Sequence, residues 1–267
     1  MTNNHSNIAV LIPHYNNPID LEKTILSIVE SIPIDVFIVD DGSTQKPNQT
    51  KLKEIFTLGK IQFIELQQNQ GIEKALNVGL KEIEKRDYKY IGRLDCGDFC
   101  KPNRFLKQTE YLNINKDVFL LGTWVNVLDE KGNLLYVLEH PISYNELKKK
   151  MYLNSMFVHP SVVFRANIID AVGYYPTNFK AAEDYAYFFN IIKKFKSENL
   201  PEILLDYIVD ENSISSTKRK LQVKSRIRVI VKHFYLGFYP IIGLIRSVLL
   251  YFVSRDLSNK IKKLFNK

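Results

Sequence analysis

Short apolar runs alternate with stretches of helical periodicity through the first hundred residues. IAVLIP (8–13), VFIVD (36–40), IQFIEL (61–66) and YKYIGRLD (88–95) read as strands, and the intervening periodicity predicts helices over Ile19–Ser31, Gln49–Leu58 and Gly71–Lys85. Strands spaced by helices in this way form βαβ units, so a mixed, mostly parallel sheet flanked by helices is expected. Ligands collect at the carboxyl ends of such strands, which directs attention to the loops after Pro13, Val39 and Leu94.

Beyond residue 100 the pattern changes. A helix follows Pro102, and VFLLGTWVNVLDEKGNLLYVLEH reads as a hairpin turning at DEKGN. A helix starts near Asn145, MFVHPSVVFR is strand-like, residues 181–195 have helical periodicity, and ILLDYIV reads as a further strand. An α/β domain is therefore expected over 1–217, with a first half at about 1–100 and a second at about 101–217.

Charge separates the remainder from this domain. Residues 218–267 carry 13 Lys or Arg against one acid, Asp256, while residues 1–217 have a net charge of −4. Within that tail, Phe234–Val253 is apolar apart from Arg246, with Pro240 inside it. A mid-segment arginine makes a simple span costly, whereas helices lying in an anionic interface, with Arg226, Arg228, Lys232, Lys260, Lys262 and Lys263 reaching headgroups, suit the pattern. The alternative is an apolar helical hairpin packed on the domain or on a homodimer partner. No compact nucleic-acid recognition motif accompanies the basic residues, so no nucleic-acid partner is expected.

The N-terminus has no basic leader before its short apolar run, and Cys96 and Cys100 make neither a disulfide framework nor a zinc quartet. The expected location is cytoplasmic, peripheral on the inner face of the membrane.

Two acidic clusters carry the candidate chemistry. Asp40 and Asp41 precede Gly42 and Ser43, where a carboxylate can accept from a base N–H or a ribose hydroxyl. Arg93, Asp95, Gly97 and Asp98 close the fourth strand, where carboxylate oxygens can hold a divalent ion on two phosphates. Arg93 can pair with a carboxylate or a phosphate. Pro13, His14, Tyr15 and Asn16 follow the first strand; Tyr15 can stack on a base while Asn16 fixes the loop. Gly71, Lys74 and Asn77 lie near one helical face, which can run beneath the bound ligand, the alternative being that Lys74 is merely solvated. Glu183 and Asp184 open a helix, Asp184 as candidate general base and Glu183 as acceptor orienter or helix cap. His159 can line the acceptor or diphosphate site.

Taken in order, VLIPHYN, FIVDDGS, NQGIEKALNVGL, GRLDCGD, HPSVVFR and AAEDYAYFFNI resemble glycosyltransferase family 2, inverting enzymes with the GT-A nucleotide-diphospho-sugar transferase fold, over about residues 7–215. The resemblance implies that Pro13–Asn16 and Asp41 contact the nucleoside, that Asp95 opens a DXD motif, and that Asp184 is the base. It also implies a UDP-sugar or related donor, a Mn²⁺ or Mg²⁺ ion and a lipid-linked glycan acceptor in surface-polysaccharide synthesis. Two positions depart from the family pattern. Gly97 stands where the second DXD acid is usual, which puts metal dependence in doubt, and Ile208 and Asp210 stand where Arg and His are frequent. Asp98 or Asp210 would then supply the missing oxygen. A nucleotidyltransferase is the rival enzyme class, though VLIPHYNNP lacks its Gly-rich basic loop, and an inactive nucleotide-sugar-binding scaffold is the non-enzyme rival.

Overall fold

The computed structural model describes residues 6–209 and 219–252. Nine strands form one sheet: β1 (Ile8–His14), β2 (Asp35–Asp40), β3 (Ile61–Glu65), β4 (Tyr90–Arg93), β5 (Phe99–Cys100), β6 (Val118–Leu128), β7 (Leu134–Leu138), β8 (Val163–Arg165) and β9 (Lys196–Ile208). Their order is β3-β2-β1-β4-β8-β6-β9-β5, with β7 hydrogen-bonded to β6 outside that path. Parallel pairing is continuous only through β3-β2-β1-β4; β8 runs antiparallel to β4 and β6, and the second half is mixed.

Alternation along β1 explains why the sheet is covered on both faces. Ala9 and Leu11 join one core with Phe37, Val39, Leu76 and Leu80, while Ile8, Val10 and Ile12 join the other with Ile38, Leu21 and Ile25. The helices are α1 (Pro18–Leu26), α2 (Gln49–Ile55), α3 (Ile72–Glu84), α4 (Arg104–Ile114), α5 (Tyr144–Lys150), α6 (Ile168–Val172), α7 (Glu183–Lys194), α8 (Arg219–Lys232) and α9 (Phe238–Phe252).

Differences from the sequence expectation have local causes. Helix α1 stops at Leu26 rather than continuing to Ser31, because Glu30 is used elsewhere. Its two carboxylate oxygens accept from Phe105 N at 2.8 Å and Leu106 N at 3.0 Å, so it caps the first turn of α4. MFVHPSVVFR contributes only three strand residues, since His159–Ser161 forms a 3₁₀ turn. There the Pro160 carbonyl accepts from buried Arg104 at 2.7 Å. Strand β9 starts at Lys196, well before ILLDYIV, because β6 provides a parallel partner along almost its whole length.

The C-terminal helices are docked on the α/β core. Val229 and Ile230 of α8 belong to the core that also contains Tyr185 and Phe189 of α7. Helix α9 turns Pro240, Gly243 and Ser247 inward. A Cβ on Gly243 would fall 2.2 Å from the Tyr152 carbonyl oxygen, which is why glycine occupies that crossing. Its opposite side leaves Ile241, Ile245, Val248, Leu249 and Phe252 exposed. Among the described residues, no helix is long and apolar enough to cross a membrane. Asp210, the alternative oxygen ligand expected from sequence, and Lys260, Lys262 and Lys263 lie outside the described residues.

Candidate active site

Parallel register aligns the carboxyl ends of β1, β2 and β4: His14 pairs with Asp40, and Leu11 with both Phe37 and Arg93. The loops that follow surround a cleft of about 500 Å³ lined by Pro13, His14, Tyr15, Asp41, Asn69, Gly71 and Asp95, among others.

The adjacent carboxylates of the second strand end do different work. Asp40 is buried and holds the loop together: its carboxylate lies 3.0 Å from His14 Nδ1 and also accepts from Ser43 and Lys46. Burial by itself would raise its pKa, but the hydrogen bonds from Lys46, Ser43 and His14 hold it below the ordinary carboxylate value. Asp41 faces the cleft, with its oxygens accepting from Gln70 N at 2.8 Å and Gly71 N at 2.9 Å. Each oxygen retains a second lone pair for a ligand. Asn16, at φ 51°, uses its side-chain oxygen to accept from Thr44 N at 2.8 Å and Gln45 N at 3.0 Å, so it shapes the loop. Tyr15 is 51% exposed at the mouth of the cleft.

Gly42 is required by space as well as by its φ of 69°, because a Cβ there would meet the Gln68 carbonyl carbon at 2.4 Å. Gly42→Ala is expected to destabilise the protein by about 1–3 kcal/mol, read from urea unfolding. Unfolding indistinguishable from the parent would show that the two loops separate freely.

At the end of β4, Arg93 is fully buried. Its guanidinium donates to the Leu11 carbonyl and to the Asp95 carboxylate, and its Nε donates to His159 Nε2 at 3.3 Å. The Tyr175 hydroxyl also lies 2.9 Å from His159 Nε2. Since that nitrogen accepts from Arg93, the neutral imidazole carries its proton on Nδ1. Burial, reinforced by the Arg93 charge, depresses the His159 pKa to about 3. Of the two alternatives open to Arg93, the protein uses the carboxylate: Arg93 orients Asp95 from beneath.

Asp95 leaves 27% of its side chain exposed at the cleft. Asp98 is placed differently: it is buried, its Oδ1 accepts from Ile208 N at 2.8 Å, and burial, with Asp95 nearby, raises its pKa well above the ordinary value. It lines a neighbouring groove with Asn17, Lys23 and Gly97. A Cβ at Gly97 would meet nothing within 4 Å, so its φ of 102°, rather than crowding, favours glycine there. Among the described residues, no three His, Cys, Asp or Glu side chains cluster as ligands. Asp95 nevertheless fits an ion held mainly by water and phosphate oxygens, an arrangement that needs few protein ligands.

Helix α7 begins beside this rim. Ala181 at φ 60° and Ala182 lead into Glu183 and Asp184, and Tyr185 N donates to Asp184 Oδ1 at 2.7 Å. Burial raises the Asp184 pKa against that hydrogen bond, and the Asp95 charge adds to the rise, linking the β4 end electrostatically with the α7 start. Glu183 is pushed up to about 8 by burial and by Asp184, and its Oε2 has no hydrogen-bond partner among the described residues.

Between the ordinary glutamate value of 4.5 and about 8, folded Glu183 retains a proton that the unfolded chain has released, so stability falls as pH rises through that window. Glu183→Gln is therefore expected to raise the melting temperature by about 2–4 °C near pH 8.5, with a smaller change near pH 4. A pH-independent difference would remove the ionisation argument.

Lys74 is exposed on α3 and does not line the cleft. Asn77, on the same helix, instead clamps Tyr175 through its backbone N–H and carbonyl, both at 2.8 Å. Tyr175 and Arg226 were not singled out from sequence as site residues. Tyr175 reaches His159, and Arg226 lines an approximately 100 Å³ pocket with Asp184. Neither has a spacing relative to the acidic motifs that would have found it.

The sequence model described as Glycosyl transferase family 2 matches residues 9–173. The amylovoran biosynthesis glycosyltransferase AmsE of Erwinia amylovora is 27% identical, over 83% of this chain and 83% of its own. An Escherichia coli protein, UDP-Gal:alpha-D-GlcNAc-diphosphoundecaprenol beta-1,3-galactosyltransferase, is 26% identical over 90% of this chain and 87% of its own. S. aureus TarS residues 1–349, solved in complex with UDP-GlcNAc, superpose with a TM-score of 0.66 at 16% identity, covering 92% of this chain and 72% of that one. The chain spans 41% of a longer TarS structure. At these identities the structural likeness shows the α/β fold: a curled mixed sheet flanked by helices.

Proposed function

The chain belongs to glycosyl transferase family 2, and from that premise we propose that it moves a sugar, with inversion, from a nucleotide-diphosphate sugar to a hydroxyl of a lipid-linked glycan in surface-polysaccharide synthesis. A UDP-sugar is the favoured donor. The observation that carries this reading is the meeting of Asp41 and Asp95, on one cleft, with the Glu183–Asp184 helix start whose ionisation Asp95 influences.

Tyr15 stacks on the base, and the free lone pairs of Asp41 accept from base or ribose. Asp95, oriented by Arg93, faces the diphosphate; a divalent cation bound there would neutralise charge on the departing nucleoside diphosphate. Asp184 accepts the acceptor hydroxyl's proton as the oxygen attacks the anomeric carbon. Its raised pKa improves it as a base at the cost of a smaller ionised fraction, a balance that favours values nearer neutrality. Glu183, protonated near neutral pH, orients the acceptor by donating a hydrogen bond.

The lipid-linked acceptor gains support from the diphosphoundecaprenol substrate named for the Escherichia coli relative. The exposed apolar side of α9 is the proposed contact with an anionic inner membrane surface, where retention raises the effective concentration of a tethered acceptor. Incubation with UDP-, GDP- and dTDP-sugars, with Mn²⁺, Mg²⁺ or EDTA, tests the donor step through nucleoside diphosphate release. Donor-specific release supports transfer chemistry, and loss in EDTA supports the cation. Failure to bind any donor would reject the reading.

A further inference from the structure

On α8 and α9, two arginines converge beside the catalytic helix without a carboxylate partner. Arg226 Nη2 donates to the Leu153 carbonyl at 2.5 Å, and Arg246 Nη1 donates to the same oxygen. Among the described residues, neither side chain forms an ion pair. Arg226 lies over the Tyr185 ring, 5.5 Å from its centroid, and its buried Nε has no hydrogen-bond partner among the described residues. One carbonyl serves both guanidiniums; Arg246 is otherwise solvated, whereas Arg226 is largely desolvated and feels the Asp184 charge without forming an ion pair with it, so its open Nε is costly.

The surroundings indicate which anion would meet that open donor. The small pocket beside Arg226 contains Asn154, Ser155, Gln222 and Asp184. Arg246 follows Ile245 on α9, whose exposed side continues through Leu249 and Phe252. An apolar surface, two guanidiniums and the candidate base therefore succeed one another from the outside inwards. Guanidinium forks suit phosphate oxygens, and a diphosphate offers enough oxygens to engage both.

We infer that Arg226 and Arg246 form a subsite for the prenyl-linked diphosphate of the acceptor, placing the first sugar's hydroxyl at Asp184. This subsite rests on the lipid-linked acceptor proposed above and extends it by assigning the C-terminal helices a part in acceptor selection. Lys224, exposed on α8 and absent from the pocket, has no role in it.

Farnesyl diphosphate in neutral detergent micelles is a suitable probe, with binding measured by calorimetry. The parent chain is expected to bind it, and Arg226→Gln and Arg246→Gln are each expected to weaken binding about tenfold or more, with Lys224→Gln unchanged. Arg246 is exposed, so its variant remains informative if the Arg226 variant unfolds. Phosphatidylglycerol vesicles distinguish the other phosphate source: retained vesicle binding in the arginine variants supports the subsite. A parallel loss there would overturn it by assigning the pair to bulk headgroups, and so would absent or unaltered farnesyl diphosphate binding. UDP binding on the same samples separates this test from the donor reading, since failure of either leaves the other measurable.

Discussion

Asp184→Asn is expected to lower turnover by about a hundred- to ten-thousand-fold, the range contributed by a positioned general base, while donor affinity stays within about twofold. Asparagine retains an oxygen able to accept from Tyr185 N, which donates to Asp184 at 2.7 Å, so the start of α7 should persist. Burial already disfavours the Asp184 charge, and replacing it with a neutral isostere should preserve or raise stability. Rates of nucleoside diphosphate release, measured with saturating donor and an added glycolipid acceptor, check the effect. Parent-like turnover in D184N would remove Asp184 as base and leave Glu183 as the remaining candidate at the α7 start. If Glu183→Gln then also turned over normally, neither acid of the α7 start would be the base.

Arg93→Met is expected to cost about 3–5 kcal/mol of stability, because removing one member of a buried charged network leaves its partners desolvated and unpaired. The Leu11 carbonyl, Asp95 and His159 would each lose a donor in one step. Urea unfolding gives the magnitude; a loss below about 1 kcal/mol would mean that water readily replaces the guanidinium. A second signature separates this variant from an ordinary core mutation. Between the ordinary histidine value of 6.5 and the present value of about 3, folded His159 remains neutral while the unfolded chain gains a proton, so stability falls on acidification. Burial remains in R93M but the Arg93 charge does not, so the His159 contribution to this acid sensitivity should become smaller.

The contrast between Asp40 and Asp41 shows how much of the site was legible along the chain. Apolar runs ending in acids marked the right loops, because a buried strand needs continuous hydrophobic residues and its carboxyl end is where polar groups can emerge. Periodicity and composition did not say which of two consecutive carboxylates faces the cleft; only the family resemblance pointed to Asp41. Partners distant in sequence decide it: His14 lies against Asp40, whereas the backbone at Gln70 and Gly71 meets Asp41. Asp95 and Asp98 show the same limit, since the Ile208 amide engages Asp98 through a pairing between strands far apart in sequence. Lys74 had a plausible helical phase but ended outside the cleft, because periodicity orders positions around α3 without saying which side meets the loops.

Sequence by itself determined the alternating strands and helices of the first half, the acidic strand ends and the basic, apolar character of the tail. These are one-dimensional properties: side-chain period reports local geometry, and composition reports which surfaces can leave water. Only tertiary structure decided that Arg93 supports Asp95, that Glu30 caps α4, and that α8 brings Arg226 to Asp184. Each depends on long-range packing, in which the burial of Val229 and Ile230 fixes where a charge on the neighbouring turn of α8 will lie. The physical reason is the same in each case: a charged group acquires its role from the desolvation and partners it meets after the chain closes, and neither is a property of neighbouring letters.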